Sequence, residues 1–200
     1  MVHIGSAEYY AEVQRRLEAC NVVVYEGVRS TRSWLLTRSY AVLTYRKRLG
    51  LVLQKKALIA PLAKKIHADL NAEQFATAWA AIPFWPRMLV LFCAPLYGIW
   101  LYFTATRRSI GRHLNTDEVE SHRDFSGWHD VPELEAAIRT TRDRRLVDEV
   151  SAAVERSGGD TRIGILYGAA HMRVVSRLLA LKYRYRVVES EWITVFDYPD

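Results

Sequence analysis

The chain has 200 residues and a formal net charge of +6, with 50% hydrophobic, 25% charged and 12% aromatic residues. That excludes a disordered or collagen-like chain and allows one domain, 1–200, with a sizeable core. Cys20 and Cys93 lie far apart and in no metal-ligand spacing, which excludes a disulfide framework and points to a reducing compartment.

Residues 1–10 contain no basic region followed by an apolar run, so no secretory signal is read and a cytoplasmic location is expected. Val2-His3-Ile4-Gly5 reads as the tail of a strand whose first half would precede Met1. Ser6 is placed to cap a helix with Tyr10, Val13, Leu17 and Cys20 on one face and Glu12 and Arg16 paired on the other. Asn21 ends it, and the β-branched run Val22-Val23-Val24-Tyr25 reads as a buried strand leading into Glu26-Gly27-Val28-Arg29. A right-handed βαβ unit puts both strand ends on one sheet edge, so His3, Glu26 and Arg29 are expected to converge.

From Ser30 to Lys56 arginines and lysines mix with Trp34, Leu35, Leu36 and Val42, a helical pattern. Interleaved aromatic and basic residues raise nucleic-acid binding, but no binding motif is present and a solvated helix face explains the pattern better. A Lys-rich segment runs to His67, and Asn71 is placed to cap a helix over about 72–81.

Residues 88–105 are the most apolar stretch, eighteen residues without a charge, flanked by Arg87 and by Arg107-Arg108. They reach the lower length of a membrane span, although Pro95 and Gly98 interrupt them. A buried helical hairpin or lid, a dimer face for a second copy of the chain, and a membrane contact through 88–105 all fit this composition. Thr106 to Pro132 is polar, with His113, His122 and His129 among acidic residues but in no zinc-motif spacing.

A helix is expected over 133–156, with Leu146, Val147, Val150 and Val154 as its apolar stripe and Arg142 near its start. Ile163, Ile165 and Leu166 read as a buried strand, Gly168-Ala169-Ala170 as a small-residue turn, and Val174, Val175, Leu178 and Leu179 as a helix. Ligands of open α/β sheets bind at the carboxyl ends of strands, which is where His171 falls. His171 is therefore either a chemical group or a turn residue bonded to a backbone carbonyl. Tyr185–Val188 and Trp192–Phe196 read as closing strands. The expected fold is α/β, with a mostly parallel central sheet flanked by helices and a lid-like helical insertion at about 80–132.

Gly168-Ala169-Ala170-His171, Glu26-Gly27-Val28-Arg29, the His3-Ile4-Gly5 end of a first motif and Arg142-Asp143 together resemble the TraB/GumN/TIKI family, which belongs with erythromycin-esterase-like and ChaN-like proteins. The family carries two Gly-x-x-His motifs, with a Glu and an Arg after the second strand. The first glycine would fall before Met1, and the similarity is weakest over 80–132. The resemblance implies a metal-dependent hydrolase, most of all a peptidase like the TIKI proteins, acting on a peptide or small-molecule substrate. It implies His3, Glu26 and His171 as ligands of Mn, Co or Zn or as acid–base groups. Arg29 would hold a substrate carboxylate or an oxyanion, with Gly168 and Arg142 beside the substrate. A metal of this kind would activate water. The alternatives are a catalytically silent protein of the same fold binding haem or a peptide, and a membrane-associated regulatory protein.

Overall fold

The computed structural model describes residues 2–27, 39–58, 64–114 and 140–198, the side chains of Ala78, His113 and Leu114 aside. Arg29, Trp34–Leu36, His122, His129 and the first turns expected before Thr140 lie outside the described residues.

A mixed α/β architecture is built on a three-stranded parallel sheet. Strand β1 (Ile4–Gly5) leads into helix α1 (Ala7–Glu18), where the Tyr9 amide donates to Ser6 Oγ at 3.1 Å, the expected cap. Glu8 in its first turn and Arg15 and Arg16 in its last suit the helix dipole. Next come β2 (Val22–Tyr25), two 3₁₀ turns (Val42–Tyr45 and Lys47–Leu49), β3 (Val52–Leu53), the single turn α2 (Gln54–Ala57) and β4 (Lys64–His67). Helix α3 (Ala72–Ala81) is closed by a capping box between Asn71 and Gln74. Helix α4 (Phe84–Thr104) and α5 (Arg107–Leu114) follow, then α6 (Thr141–Arg156), β5 (Ile163–Leu166), a 3₁₀ turn (Ala169–His171) and α7 (Met172–Leu181).

The sheet order is β4-β2-β5, with Val24 opposite Ile66 on one side and Ile165 on the other. Successive residues of β2 face opposite layers, as the two-residue strand period requires. Val23 packs with Tyr10, Val13 and Leu17 of α1, while Val24 packs with Leu146 and Val150 of α6 and Val175 of α7. An all-apolar strand suits a position covered on both faces.

Three expectations are corrected. Strand β1 does not join β2 in a βαβ unit; it pairs antiparallel with β3, Ile4 opposite Leu53, in a separate two-stranded ladder. The backbone partners of β1 are on β3 and just after it, where the Gln54 amide donates to the His3 carbonyl at 3.0 Å. The closing strands do not form: residues 185–198 run without a ladder, and Val187 and Val188 are 87% and 96% exposed. This tail is held by single points, with the Ser6 amide donating to the Val195 carbonyl at 2.9 Å and Phe196 buried beside Ile4 and Leu51.

The third correction concerns 88–105, which is part of one continuous helix and not a buried hairpin. Pro95 is accommodated inside α4, and Gly98 lets the helix approach the backbone of Ser39: a Cβ there would lie 2.7 Å from the Ser39 carbonyl oxygen. Leu91, Ala94, Gly98, Leu101 and Ala105, at alternating three- and four-residue spacing, form the narrow stripe that meets the rest of the protein. Leu91 packs on the cluster of Leu70, Phe75, Trp79 and Ile82; Leu101 and Ala105 pack with Leu43 and Ile110.

Candidate functional site

Three parallel strands deliver their carboxyl ends to one edge, and a charged cluster sits there. Strand β2 runs into Glu26 and Gly27, β4 into Ala68 and Asp69, and β5 into Tyr167 and Gly168. The first turn of α6 adds Arg142 and Asp143, and the turn after β5 adds His171.

Arg142 is the hub. Its Nε and Nη2 donate to the two oxygens of Asp69 at 2.8 and 2.9 Å, and Nη2 also donates to Glu26 Oε1 at 2.5 Å. Such forked pairing is what a planar guanidinium does best. The side chain of Asp69 is fully buried, and it also accepts from the amides of Gly27 and Leu70 at 3.1 and 2.8 Å. The second oxygen of Glu26 accepts from the Gly168 amide at 2.7 Å. Burial opposes the charge of Arg142, but its bonds to Asp69 and the charges of Asp69 and Glu26 outweigh that, raising its pKa.

Asp143 points the other way and bonds His171 Nδ1. A carboxylate accepts this bond, so Nδ1 carries a proton, and in the neutral tautomer of this ring Nε2 is the nitrogen with a free lone pair. Tyr167 ties the two halves together. Its ring carries the Arg142 guanidinium at 5.6 Å and meets the edge of His171 at 5.1 Å. Burial pushes its phenol up against the pull of Arg142. At the next strand end, His67 Nε2 bonds the Gly27 carbonyl at 2.7 Å, which fixes its proton on Nε2.

Four residues singled out in the sequence are thus brought together: Glu26, Arg142, Gly168 and His171. Gly168 lies between Glu26 and His171, since a Cβ on it would sit 3.4 Å from Glu26 Oε2 and 3.5 Å from His171 Cδ2. Those are ordinary contacts, and its backbone at φ −58°, ψ 140° suits any residue, so no special conformation requires glycine. His3 lies at the start of β1, where its Nδ1 bonds Gln54 Oε1 at 2.9 Å and its ring stacks on Tyr40 at 5.8 Å. Burial and then the charge of Glu26 push the phenol of Tyr40 up. Asp69, Asp143, Tyr167 and Tyr40 belong to the site and were missed as sites in the sequence, where only the position of Asp143 beside Arg142 gave any signal.

Among the described residues no group of three or more His, Cys, Asp or Glu side chains is disposed to hold a metal ion. The positive charge between Glu26 and Asp69 is that of Arg142, and His171 Nδ1 is taken by Asp143. Compared with known protein families, curated proteins and solved structures, the chain finds no match.

Proposed function

We propose that this chain is a hydrolase of the TraB/TIKI kind, acting at the carboxyl edge of its parallel sheet on a peptide or related acyl substrate. The observation that supports the reading is the His171–Asp143 pair, beside the Glu26–Arg142–Asp69 cluster where α/β proteins bind ligands. His171 Nε2 takes a proton from water as the water oxygen attacks the substrate carbonyl, and returns it to the leaving group. Asp143 holds the ring in the tautomer that leaves Nε2 unprotonated and offsets the imidazolium charge that forms. Glu26, Asp69 and Arg142 fix the three strand ends and the start of α6, so the pair keeps its geometry. Arg29 keeps the role of holding a substrate carboxylate. The helical stretch at about 80–132 is, on this reading, an insertion into the α/β domain.

The resemblance implies Mn, Co or Zn; Nε2 of His171 would be the nitrogen offered to such an ion, with Asp143 behind the ring, and the ion would supply an activated water, but no step here runs through a metal. The test is a screen of peptide and chromogenic ester substrates with the wild type, His171→Gln and Asp143→Asn, each checked for folding by circular dichroism. Turnover that drops at least about 100-fold in folded His171→Gln, and less in Asp143→Asn, supports the assignment. Undiminished turnover in His171→Gln sinks it. Activity lost to a chelator and restored by Mn, Co or Zn would replace the imidazole base with a metal-bound one.

A further inference from the structure

We infer that α4 lies along, and not across, an anionic lipid bilayer, with its outer face in the acyl region and the basic cluster at its carboxyl end on the headgroups. At 21 residues α4 is about 31 Å long, close to the thickness of a bilayer core. Length alone would allow a crossing. The packing excludes it.

The inner stripe is occupied over the whole helix, by α3 at one end and by the 3₁₀ turn of 42–45 and α5 at the other. Those neighbours, with the 3₁₀ turn Lys47–Leu49 that follows the first, carry exposed charges, Glu73 on one side and Lys47, Arg48, Arg108 and Arg112 on the other, which cannot follow α4 into hydrocarbon. The outer face is apolar from end to end. Trp85, Phe92 and Phe103 are 78%, 71% and 73% exposed, and Leu89, Leu96 and Trp100 are more than half exposed. A patch of that kind is far outside what a free surface usually shows. The domain itself supplies the polar side that an interfacial helix needs.

Charge selects the occupant. Arg46 Nη1 caps the α4 carboxyl end by donating to the Ala105 carbonyl at 2.7 Å, and Arg107 reaches Gly50, bringing Lys47, Arg48, Arg108 and Arg112 into one neighbourhood. Glu8 is the acidic neighbour that Arg107 acts on. Tyr97, Trp100 and Tyr102 near the same end have the amphipathic rings favoured at a headgroup boundary. A second copy offers this cluster no counter-charge from the same helix, since 84–104 contains Arg87 and no Asp or Glu.

The test is flotation of the full chain with vesicles of phosphatidylcholine, with and without phosphatidylglycerol. Binding to the anionic vesicles alone, weakened by moderate salt, is expected. Phe92→Glu with Leu96→Glu, and separately Lys47→Glu with Arg108→Glu, should each reduce binding at least about tenfold. For orientation, a fluorophore is attached through Leu89→Cys, Leu96→Cys or Phe103→Cys in a Cys20→Ser, Cys93→Ser background, then quenched by spin-labelled lipids. Equal, shallow depths at the three positions are expected for a helix lying along the surface. A deeper middle position means a crossing helix and overturns the inference. So does absence of binding at low salt, binding that survives Phe92→Glu with Leu96→Glu, or a stable dimer by light scattering that shields the three labels without vesicles.

Discussion

The cluster at the sheet edge and the outer face of α4 invert the usual partition of residues in opposite senses. At the sheet edge, charges are buried: Asp69 is fully enclosed and Arg142 nearly so, and each finds partners of opposite charge. On α4, large apolar side chains stand in the open, with none of the described residues over them. Buried charge is tolerated only where it is paired, and exposed apolar area of this extent marks contact with something else. The first region is complete in itself; the second is not.

The strongest way to break the first region is Arg142→Met. It leaves Asp69 and Glu26 without a counter-charge, and a loss of about 3–5 kcal/mol is expected by urea unfolding. Replacing all three as Arg142→Met, Asp69→Asn and Glu26→Gln should recover a good part of that loss, because no uncompensated charge then remains. A triple variant as unstable as the single one would mean that packing, not charge, sets the effect.

Gly98→Ala comes next. Its Cβ would meet Ser39 backbone atoms at 2.7 and 2.9 Å, so α4 must shift, at about 1–3 kcal/mol in thermal unfolding. Gly168→Ala is its control, expected within about 0.5 kcal/mol because its Cβ meets nothing closer than 3.4 Å. Equal effects at the two glycines would argue against the close approach of α4.

A smaller effect concerns alkaline pH. Burial pushes the phenols of Tyr10, Tyr40 and Tyr167 above their ordinary value of 10.0. These groups stay neutral in the folded chain while the unfolded chain ionises. Stability is therefore full below about pH 10 and falls as pH rises beyond it. Absorbance near 295 nm should show part of the tyrosine titration delayed until unfolding; a single titration at the ordinary value would refute this. Least of all should change with Phe92→Ser on the outer face of α4, within about 0.5 kcal/mol in the absence of lipid. A larger loss would mean that the face is already covered.

What was legible in the sequence was local. Ser6 and Asn71 cap their helices because a cap is a matter between neighbours. Val22–Tyr25 and Ile163–Leu166 are strands because both their faces are covered, leaving continuous apolar runs. Lys64–His67 hid because in β4, one of the two outer strands of the described sheet, Lys64 and Lys65 face solvent and the apolar pattern is absent. Tyr185–Val188 had the residues of a strand but no neighbour to pair with. The site was half readable. Glu26, Arg142, Gly168 and His171 stand in short motifs, whereas Asp69 has meaning only through Arg142, 73 residues away. His3 could not be placed from the sequence, because its position follows the pairing of β1 with β3.

The meeting of Ile4 with Phe196, and of the Ser6 amide with the Val195 carbonyl, has a consequence for how the chain assembles. The cluster that contains Leu43, Leu49, Leu51, Ala105 and Ile110 draws on both extremes of the sequence. During synthesis the layers around Val24 can close once β5 and α7 have emerged, but this cluster waits for Val195 and Phe196. The support beneath α4 therefore matures after the layers around Val24. A nascent chain halted after Leu181 should show a protease-resistant sheet with α4 still open to cleavage, and equal protection of both would contradict that order.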